Sequence, residues 1–479
     1  MQRVLNVSQM IEADKFTIEK LGVDEKILIE RAGRACADEI KKRFFGGRVL
    51  VVVGKGNNGK DGEVIARELA KTHGFAVDVF HVENDGFEIF DKKHDIIIDC
   101  IFGTGLNREV VGREKTAIEK INKSGLYVIA CDIASGINGD TGAVQGVAVK
   151  ANLTIAIQEL KYGHFLHDGI DYSGEVVVKD IGISVWTDDY AVKLDFEDVK
   201  SSFPSRKRNS HKGNYGKCAV VGGSNQYVGS LYLAQNSASA FSCGVGYVYT
   251  YAPKSLVGIY AGKNPECILR SIDDDNGNIL FDEKALETML NMSSIAIGMG
   301  IGVSFDTYKS IEYLLKNYEG KLIIDADGLN SISKYGIDVL KNAKCTVALT
   351  PHVGEFCSLC GIKKDELISN PVAIAKKFAR EYRVTLVLKS AVSIITNGVN
   401  TYVNSTGNSA LAKAGSGDVL SGVIAGMSAR IDDLTEACAH ACYVFGVAGE
   451  TASQEFGEYA TTASDVVYSL KKTIKSFED

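Results

Sequence analysis

The chain has 479 residues, 45% of them hydrophobic and 24% charged, with a formal net charge of -7. That length accommodates two or three domains, each with its own core. The acidic balance, with no Lys/Arg stripe interleaved with aromatics, excludes a nucleic-acid partner.

The opening stretch Met1-Gln-Arg-Val-Leu-Asn-Val-Ser has no apolar signal core, and no apolar run approaches the roughly 20 residues that span a bilayer. No membrane partner and a cytoplasmic location are therefore expected. The 11 cysteines, an odd number, lie mostly in apolar surroundings and read as reduced core thiols. The pairs Cys357/Cys360 and Cys438/Cys442 have metal-ligand spacing, but their helical spacing within apolar segments favours the core reading.

From residue 48 onward, short apolar runs alternate with amphipathic segments: Arg48 to Gly54, Val77 to Val82, Asp95 to Gly103, Tyr127 to Ile133, Leu153 to Gln158 and Glu175 to Ile181. This rhythm predicts a parallel sheet covered on both faces. A polar, basic, proline-bearing stretch beginning at Ser201 and including Arg206, Lys207 and Arg208 interrupts it. The reading is a domain of residues 1–200, a linker of residues 201–212 and a second α/β domain of residues 213–479. The second series of runs is Lys217 to Ser224, Ser294 to Gly300, Lys321 to Asp327, Thr346 to Thr350 and Val384 to Lys389.

The first run leads into Gly54-Lys-Gly-Asn-Asn-Gly-Lys-Asp-Gly62. Gly54, Gly56 and Gly59 satisfy a G-x-G-x-x-G dinucleotide-binding pattern, with the acidic Glu83 about 20 positions on, where a ribose contact is expected. A tight turn without a ligand gives the same pattern. Two more strand ends, Asp99-Cys-Ile-Phe-Gly-Thr-Gly-Leu-Asn107 and Asp132-Ile-Ala-Ser-Gly-Ile137, are also polar and glycine-bearing. Converging, the three would offer N–H groups to phosphates and oxygens to a cation.

Together the three segments resemble the NAD(P)H-hydrate epimerase family over residues 1 to about 200. The resemblance implies a Rossmann-like fold without redox chemistry. It implies that Asn57, Asn58, Gly59, Lys60 and Asp61, with Gly103, Thr104, Gly105, Leu106, Asn107, Arg108 and Glu109, cradle the phosphates and ribose. Asn58, Asp99 and Ser135 would coordinate potassium. Asp132 would contact substrate and exchange protons with the C6 hydroxyl of the hydrated nicotinamide, although a strand-end aspartate can equally make a turn hydrogen bond. The chain departs from the family pattern at Lys60, usually glycine, and at Ala134, often proline; Lys60 is expected to face solvent.

Near the C-terminus, Asn408-Ser-Ala-Leu-Ala-Lys-Ala-Gly-Ser-Gly-Asp418 precedes apolar residues 419, 420, 423, 424 and 427, which fit one face of a helix. The free N–H groups of its first turn predict an anion hole, with Asp418 as base or as a simple cap. Gly415-Ser-Gly-Asp418 is similar to the signature of ribokinase-like kinases, and Thr350-Pro-His-Val-Gly-Glu355 to another of their segments. With Lys212-Gly-Asn-Tyr-Gly-Lys, Gly298-Met-Gly-Ile-Gly302, Asp325-Ala-Asp-Gly-Leu-Asn330 and Lys389-Ser-Ala391, residues 200–479 resemble the ADP-dependent NAD(P)H-hydrate dehydratases.

That resemblance implies a ribokinase-like α/β sandwich. Its nucleotide site would comprise Lys389, Ser390, Ala391, Val392 and Ser393, with Asn408, Ser409, Ala410, Leu411, Ala412, Lys413, Ala414, Gly415, Ser416 and Gly417. Gly302, His352 and Asp418 would meet the hydrate, with Asp418 catalytic, Glu355 helping to bind magnesium and Lys413 an added phosphate contact. The expected activity is repair of NADH and NADPH hydrates in a homo-oligomer: epimerisation of the R and S forms, then dehydration of the S form with ADP giving AMP and phosphate. A small-molecule kinase using ATP, fused to a nucleotide-binding module, is the alternative; a non-catalytic nucleotide-binding scaffold and an oxidoreductase are further competitors.

Overall fold

A computed structural model describes residues 1–238 and 243–478. The chain divides into two compact units, residues 2–191 and residues 192–479 with Met1. Packing explains why the division precedes residue 200: Phe196 and Phe203 both stack on Phe477 of the last helix, at ring separations of 4.7 and 5.3 Å. The segment read as a linker therefore begins among residues already anchored in the C-terminal unit.

In the N-terminal unit the strands are β1 (Gln2–Leu5), β2 (Gly47–Val53), β3 (Phe75–His81), β4 (Ile96–Cys100), β5 (Tyr127–Cys131), β6 (Leu153–Ile157), β7 (Leu160–Lys161) and β8 (Glu175–Lys179). Six of them form a sheet ordered β3-β2-β4-β5-β6-β8 with every pair parallel, while β1 pairs with β7. Alternation along β2 sends Val49, Val51 and Val53 into one core with the helix Glu25–Arg43, and Leu50 and Val52 into another with the helix Gly112–Lys123. Both faces are thus apolar and covered, as a parallel sheet requires. The chain leaves β2 for β3 on one side and returns to β4 on the other, which opens a crevice at the carboxyl ends of β2 and β4.

Beyond β9 (Ala191–Lys193), the C-terminal unit contains β10 (Lys217–Gly222), β11 (Tyr247–Pro253), β12 (Ile268–Ile272), the small hairpin β13 (Asp274–Asp275) and β14 (Asn278–Ile279), β15 (Ser294–Met299), β16 (Lys321–Ile324), β17 (Thr346–Leu349), β18 (Thr385–Leu388), β19 (Ser393–Thr396) and β20 (Thr401–Asn404). The order runs β12-β11-β10-β15-β16-β17-β18-β19-β20, parallel through β18 and antiparallel in the last two pairs. Here the chain reverses between β10 and β15. The helix Ser416–Ser428 is buried on all sides rather than on the single face its periodicity suggests. Gly422 permits this, because a Cβ there would lie 2.2 Å from the Ala234 carbonyl oxygen of the neighbouring helix. Among the described residues no helix is long and apolar enough to cross a membrane.

Two glycines of the first motif have different duties. A Cβ on Gly59 would lie 1.8 Å from the Gly54 carbonyl oxygen, whereas one on Gly56 would meet nothing within 4 Å. Gly59→Ala should destabilise the N-terminal unit by about 1–3 kcal/mol through overpacking, and Gly56→Ala should stay within about 0.5 kcal/mol of the parent. Denaturant unfolding followed through Trp186, the chain's single tryptophan, measures both.

Candidate functional sites

The helix Asn57–Ala70 starts directly after β2 with Gly56 as a cap residue that has no side chain to offer, so its first-turn N–H groups face outward. They open onto a cleft of about 570 Å³ lined by Asn57, Asn58, Asp61, residues 103–108, Glu83 and Asp132. Gly59 is not part of the lining, being used against Gly54. Lys60 is exposed and donates to Asn57 Oδ1 at 2.8 Å, and Glu109 packs beside Gly146, outside the cleft. Glu83 lines the cleft but pairs with Lys55 at 3.0 Å.

Asp132 follows β5 in a left-handed conformation, with φ of 68°, a strained placement of the kind found at functional sites. Its Oδ1 accepts from Lys161 Nζ at 2.5 Å and Ile157 N at 3.3 Å, and Oδ2 accepts from Thr104 N at 3.3 Å. Burial by itself would raise its pKa, but the Lys161 ammonium outweighs burial and holds the carboxyl below the ordinary range. Lys161 is 1% exposed, and its backbone N–H donates to His164 Nδ1 at 3.1 Å. His164 Nε2 then carries the proton toward the Asp132 carbonyl oxygen, 2.8 Å away. Burial, then the Lys161 charge, push His164 down to about 4, which keeps the ring neutral.

Behind the cleft, Asp99 is fully buried at the end of β4 and accepts from Ser135 Oγ at 2.6 Å and Ser135 N at 2.8 Å. Burial raises it to about 6. The adjacent Asn58 directs Nδ2 to the Phe102 and Cys131 carbonyls, leaving its Oδ1 buried with no hydrogen-bond partner. An orphaned oxygen beside a buried carboxylate suits a hard, oxygen-liganded cation.

In the C-terminal unit, the turn after β16 holds Ala326 at φ 48° between Asp325 and Asp327. Asp325 accepts from Lys389 Nζ at 2.9 Å and from Ser421 Oγ at 2.6 Å. Burial lowers the Lys389 pKa, but the Asp325 and Glu355 charges exceed that effect and the net shift is upward, so this lysine is a partly buried cation, its side chain 19% exposed. A Cβ on Gly417 would lie 3.4 Å from Lys389 Nζ, which places the ammonium at the uncapped first turn of Ser416–Ser428. Asp418 stands in that turn; burial and then the Asp325 charge raise it to about 6.

His352 caps the helix Val353–Cys360: its Nδ1 accepts from Gly354 N and Glu355 N at 3.0 and 3.2 Å, leaving Nε2 as a donor. Glu355 returns the bond to His352 N at 2.8 Å. Gly302 has its N–H committed to Asp327 Oδ2 at 2.9 Å. In the expected nucleotide segments, Ala410 and Val392 have buried side chains, leaving backbone groups for any ligand. Ser390 Oγ is turned back to the Val392 carbonyl, Asn408 bonds Ser453 and Ser409 bonds Glu458. Lys413 Nζ donates to the carbonyls of Tyr459 and Thr461 and fastens the neighbouring loop. Among the described residues no group of three or more His, Cys, Asp or Glu side chains could hold a metal.

The residues that sequence reasoning missed are Lys161, Asp14, Asp325 and Ser421. Asp325 stood in a quoted motif without a role; Lys161 follows a short apolar run in a two-residue strand, and Asp14 occupies a polar position of an amphipathic helix.

A family model described as NAD(P)H-hydrate dehydratase matches residues 218–472. One described as YjeF-related protein N-terminus matches residues 25–89 and 85–163. The chain is 32% identical to the bifunctional NAD(P)H-hydrate repair enzyme Nnr of Thermofilum pendens, over 100% of this chain and 97% of that one. It is 31% identical to the enzyme of the same name from Moorella thermoacetica, over 99% and 97%. Its C-terminal part is similar to the ADP/ATP-dependent NAD(P)H-hydrate dehydratase of Bacillus subtilis co-crystallised with ATP and Mg2+, with 28% identity and a TM-score of 0.53, covering 60% of this chain and 99% of that one.

Replacing Lys161 with Met should destabilise the N-terminal unit by about 3–5 kcal/mol at pH 7, because it leaves the buried Asp132 charge unpaired. The gap between parent and variant should narrow as pH falls toward about 4. Protonation of the unpaired carboxyl relieves the variant over that range, whereas the parent loses the stability its depressed carboxyl confers only as pH falls further, below about 4. Trp186 fluorescence in denaturant titrations at the two pH values reads the difference.

Proposed function

The chain belongs to the family of bifunctional NAD(P)H-hydrate repair enzymes, and from that premise we propose how its two sites divide the repair. The observation that carries the division is that each unit places an aspartate beside an uncapped helix N-terminus, with a lysine largely withdrawn from solvent balancing the carboxylates there.

In the N-terminal cleft, the first-turn N–H groups of Asn57–Ala70 and the loop of residues 103–108 receive the dinucleotide phosphates and ribose. Asp132 stays ionised beside Lys161 and accepts a proton at the C6 hydroxyl position of the hydrated ring. The residues present fit potassium: Asn58 Oδ1, Asp99 and Ser135 would hold it, and it would neutralise the buried Asp99 and stiffen the loops that frame the cleft.

In the C-terminal unit, the first turn of Ser416–Ser428 and Lys389 receive the phosphates of ADP, and Asp418 is the base toward the hydrate's hydroxyl. His352 Nε2 is the donor that orients the hydrate. Magnesium would be held mainly by the nucleotide phosphates, a mode common for this ion, and would supply charge neutralisation there; Glu355, with one oxygen already bonded to His352 N, would add at most a single contact. ADP is the expected co-substrate. Because one chiral pocket dehydrates one epimer only, the epimerase in the same chain supplies the rest of the material.

With a mixture of NADPH-hydrate epimers, the parent should restore all reduced-cofactor absorbance when ADP is present. Asp132→Asn should stall once the S form is consumed, and Asp418→Asn should restore almost none. The parent's dehydration rate should fall as pH drops below about 6, where Asp418 takes up a proton and can no longer act as base. Absence of recovery by the parent with either ADP or ATP would refute the reading.

A further inference from the structure

Asp132 is not the only carboxyl in the N-terminal cleft. Asp14, on the helix Val7–Glu19, and Asp61, on the helix Asn57–Ala70, line it together with Asp132 and Lys161. The two oxygens of Asp132 already accept three hydrogen bonds, one from an ammonium. The Asp14 carboxyl makes no hydrogen bond or ion pair with any described residue. The charges that face it are Asp132, Lys161 and Glu25, with Asp61 alongside.

Inversion at C6 needs two proton transfers in different places. The hydroxyl leaves one face of the ring as water, and a second water enters the opposite face. A single side chain anchored by three hydrogen bonds cannot serve both faces without releasing them. We infer that Asp14 is the second catalytic residue of the epimerase, the carboxylic acid that protonates the departing hydroxyl while Asp132 receives the proton of the entering water. This inference rests on the epimerase reading given above.

The step balances. The C6–O bond breaks with its electron pair going to oxygen, which takes the Asp14 proton and leaves as water. The lone pair on N1 forms the N1=C6 bond. Water then bonds to C6 from the other face, the N1=C6 π pair returns to N1, and the surplus proton passes to Asp132. One water is lost and one gained, with no redox change. The product state, with Asp14 ionised and Asp132 protonated, is the starting state for the reverse inversion, and exchange with solvent in the open cleft resets the pair.

Asp14 suits a reversible cycle better than Asp61. Burial and then the Asp132 charge raise Asp14 to about 6, where a group gives and retakes a proton near neutral pH. Burial raises Asp61 to about 9, with the Cys131 and Asp132 charges adding to the effect, so it keeps its proton.

The test uses full-length protein and separated epimers of NADPH hydrate, with epimerisation followed by chromatography. Asp14→Asn should lower epimerase kcat about 10²-fold or more while KM stays close to the parent's, and unchanged Trp186 fluorescence should show the unit folded. In the direction that needs Asp14 protonated, the parent's kcat should decline as pH rises through about 6. That limb should vanish in Asp14→Asn and be displaced in Asp14→Glu, which retains part of the activity. In water enriched in oxygen-18, the parent should incorporate solvent oxygen at C6. Parental kcat in Asp14→Asn, or the same limb in both variants, would overturn the inference while an inactive Asp132→Asn left the epimerase reading standing. Absence of epimerisation by the parent would overturn both.

Discussion

A parallel sheet covered on both faces has nowhere to put polar chemistry except at its strand ends, and both units of this chain are built around that restriction. In β2 the residues alternate between two apolar cores, so no side chain between Val49 and Val53 is available to a ligand. The polar residues therefore gather immediately beyond: Gly56 to Asp61 after β2, Asp99 as β4 ends, Asp132 after β5. The C-terminal unit does the same with Asp325 after β16, His352 after β17 and Lys389 after β18. In each sheet the reversal of strand order, at β2/β4 and β10/β15, separates adjacent loops and opens the crevice between them.

The same electrostatic solution appears twice. A carboxylate sunk at a strand end is costly unless a cation and hydrogen bonds accompany it. Lys161 supplies the cation to Asp132 and Lys389 to Asp325, and both ammonium groups are largely withdrawn from solvent. The consequence for function differs between the units. In the first, the pair keeps Asp132, the aspartate proposed to react, ionised. In the second, the lysine pairs with a neighbour and leaves Asp418 near neutrality, with a pKa of about 6, beside the helix N-terminus that would receive phosphate.

Much of this is legible in the sequence. The runs Arg48 to Gly54 and Tyr127 to Ile133 correspond to β2 and β5 within a few residues, because a doubly buried strand is a short unbroken apolar run bounded by glycine or polar residues. The glycine pattern was ambiguous as to ligand, and its spacing turned out to serve close approach at Gly54 and Gly59. What could not be read depends on distant partners. Lys161 has meaning only through Asp132, which the fold brings to 2.5 Å, and β7, which carries it, is two residues long. Asp14 looks like part of a solvated helix face until the cleft is closed around it. The direction of Lys413 was open for the same reason: its choice between a phosphate position and the carbonyls of Tyr459 and Thr461 is a matter of loop geometry. The antiparallel pair β19 and β20 also escaped, since strands of four residues carry little periodic signal.

The central claim is that two separate sites perform successive halves of one repair. Mixing the Asp132→Asn protein with the Asp418→Asn protein tests it most directly, with an epimer mixture of NADPH hydrate, ADP, and reduced-cofactor absorbance as the readout. The account predicts that the mixture runs to full recovery although neither variant does so alone. A mixture that stops at the same plateau as the Asp132→Asn protein by itself would contradict it.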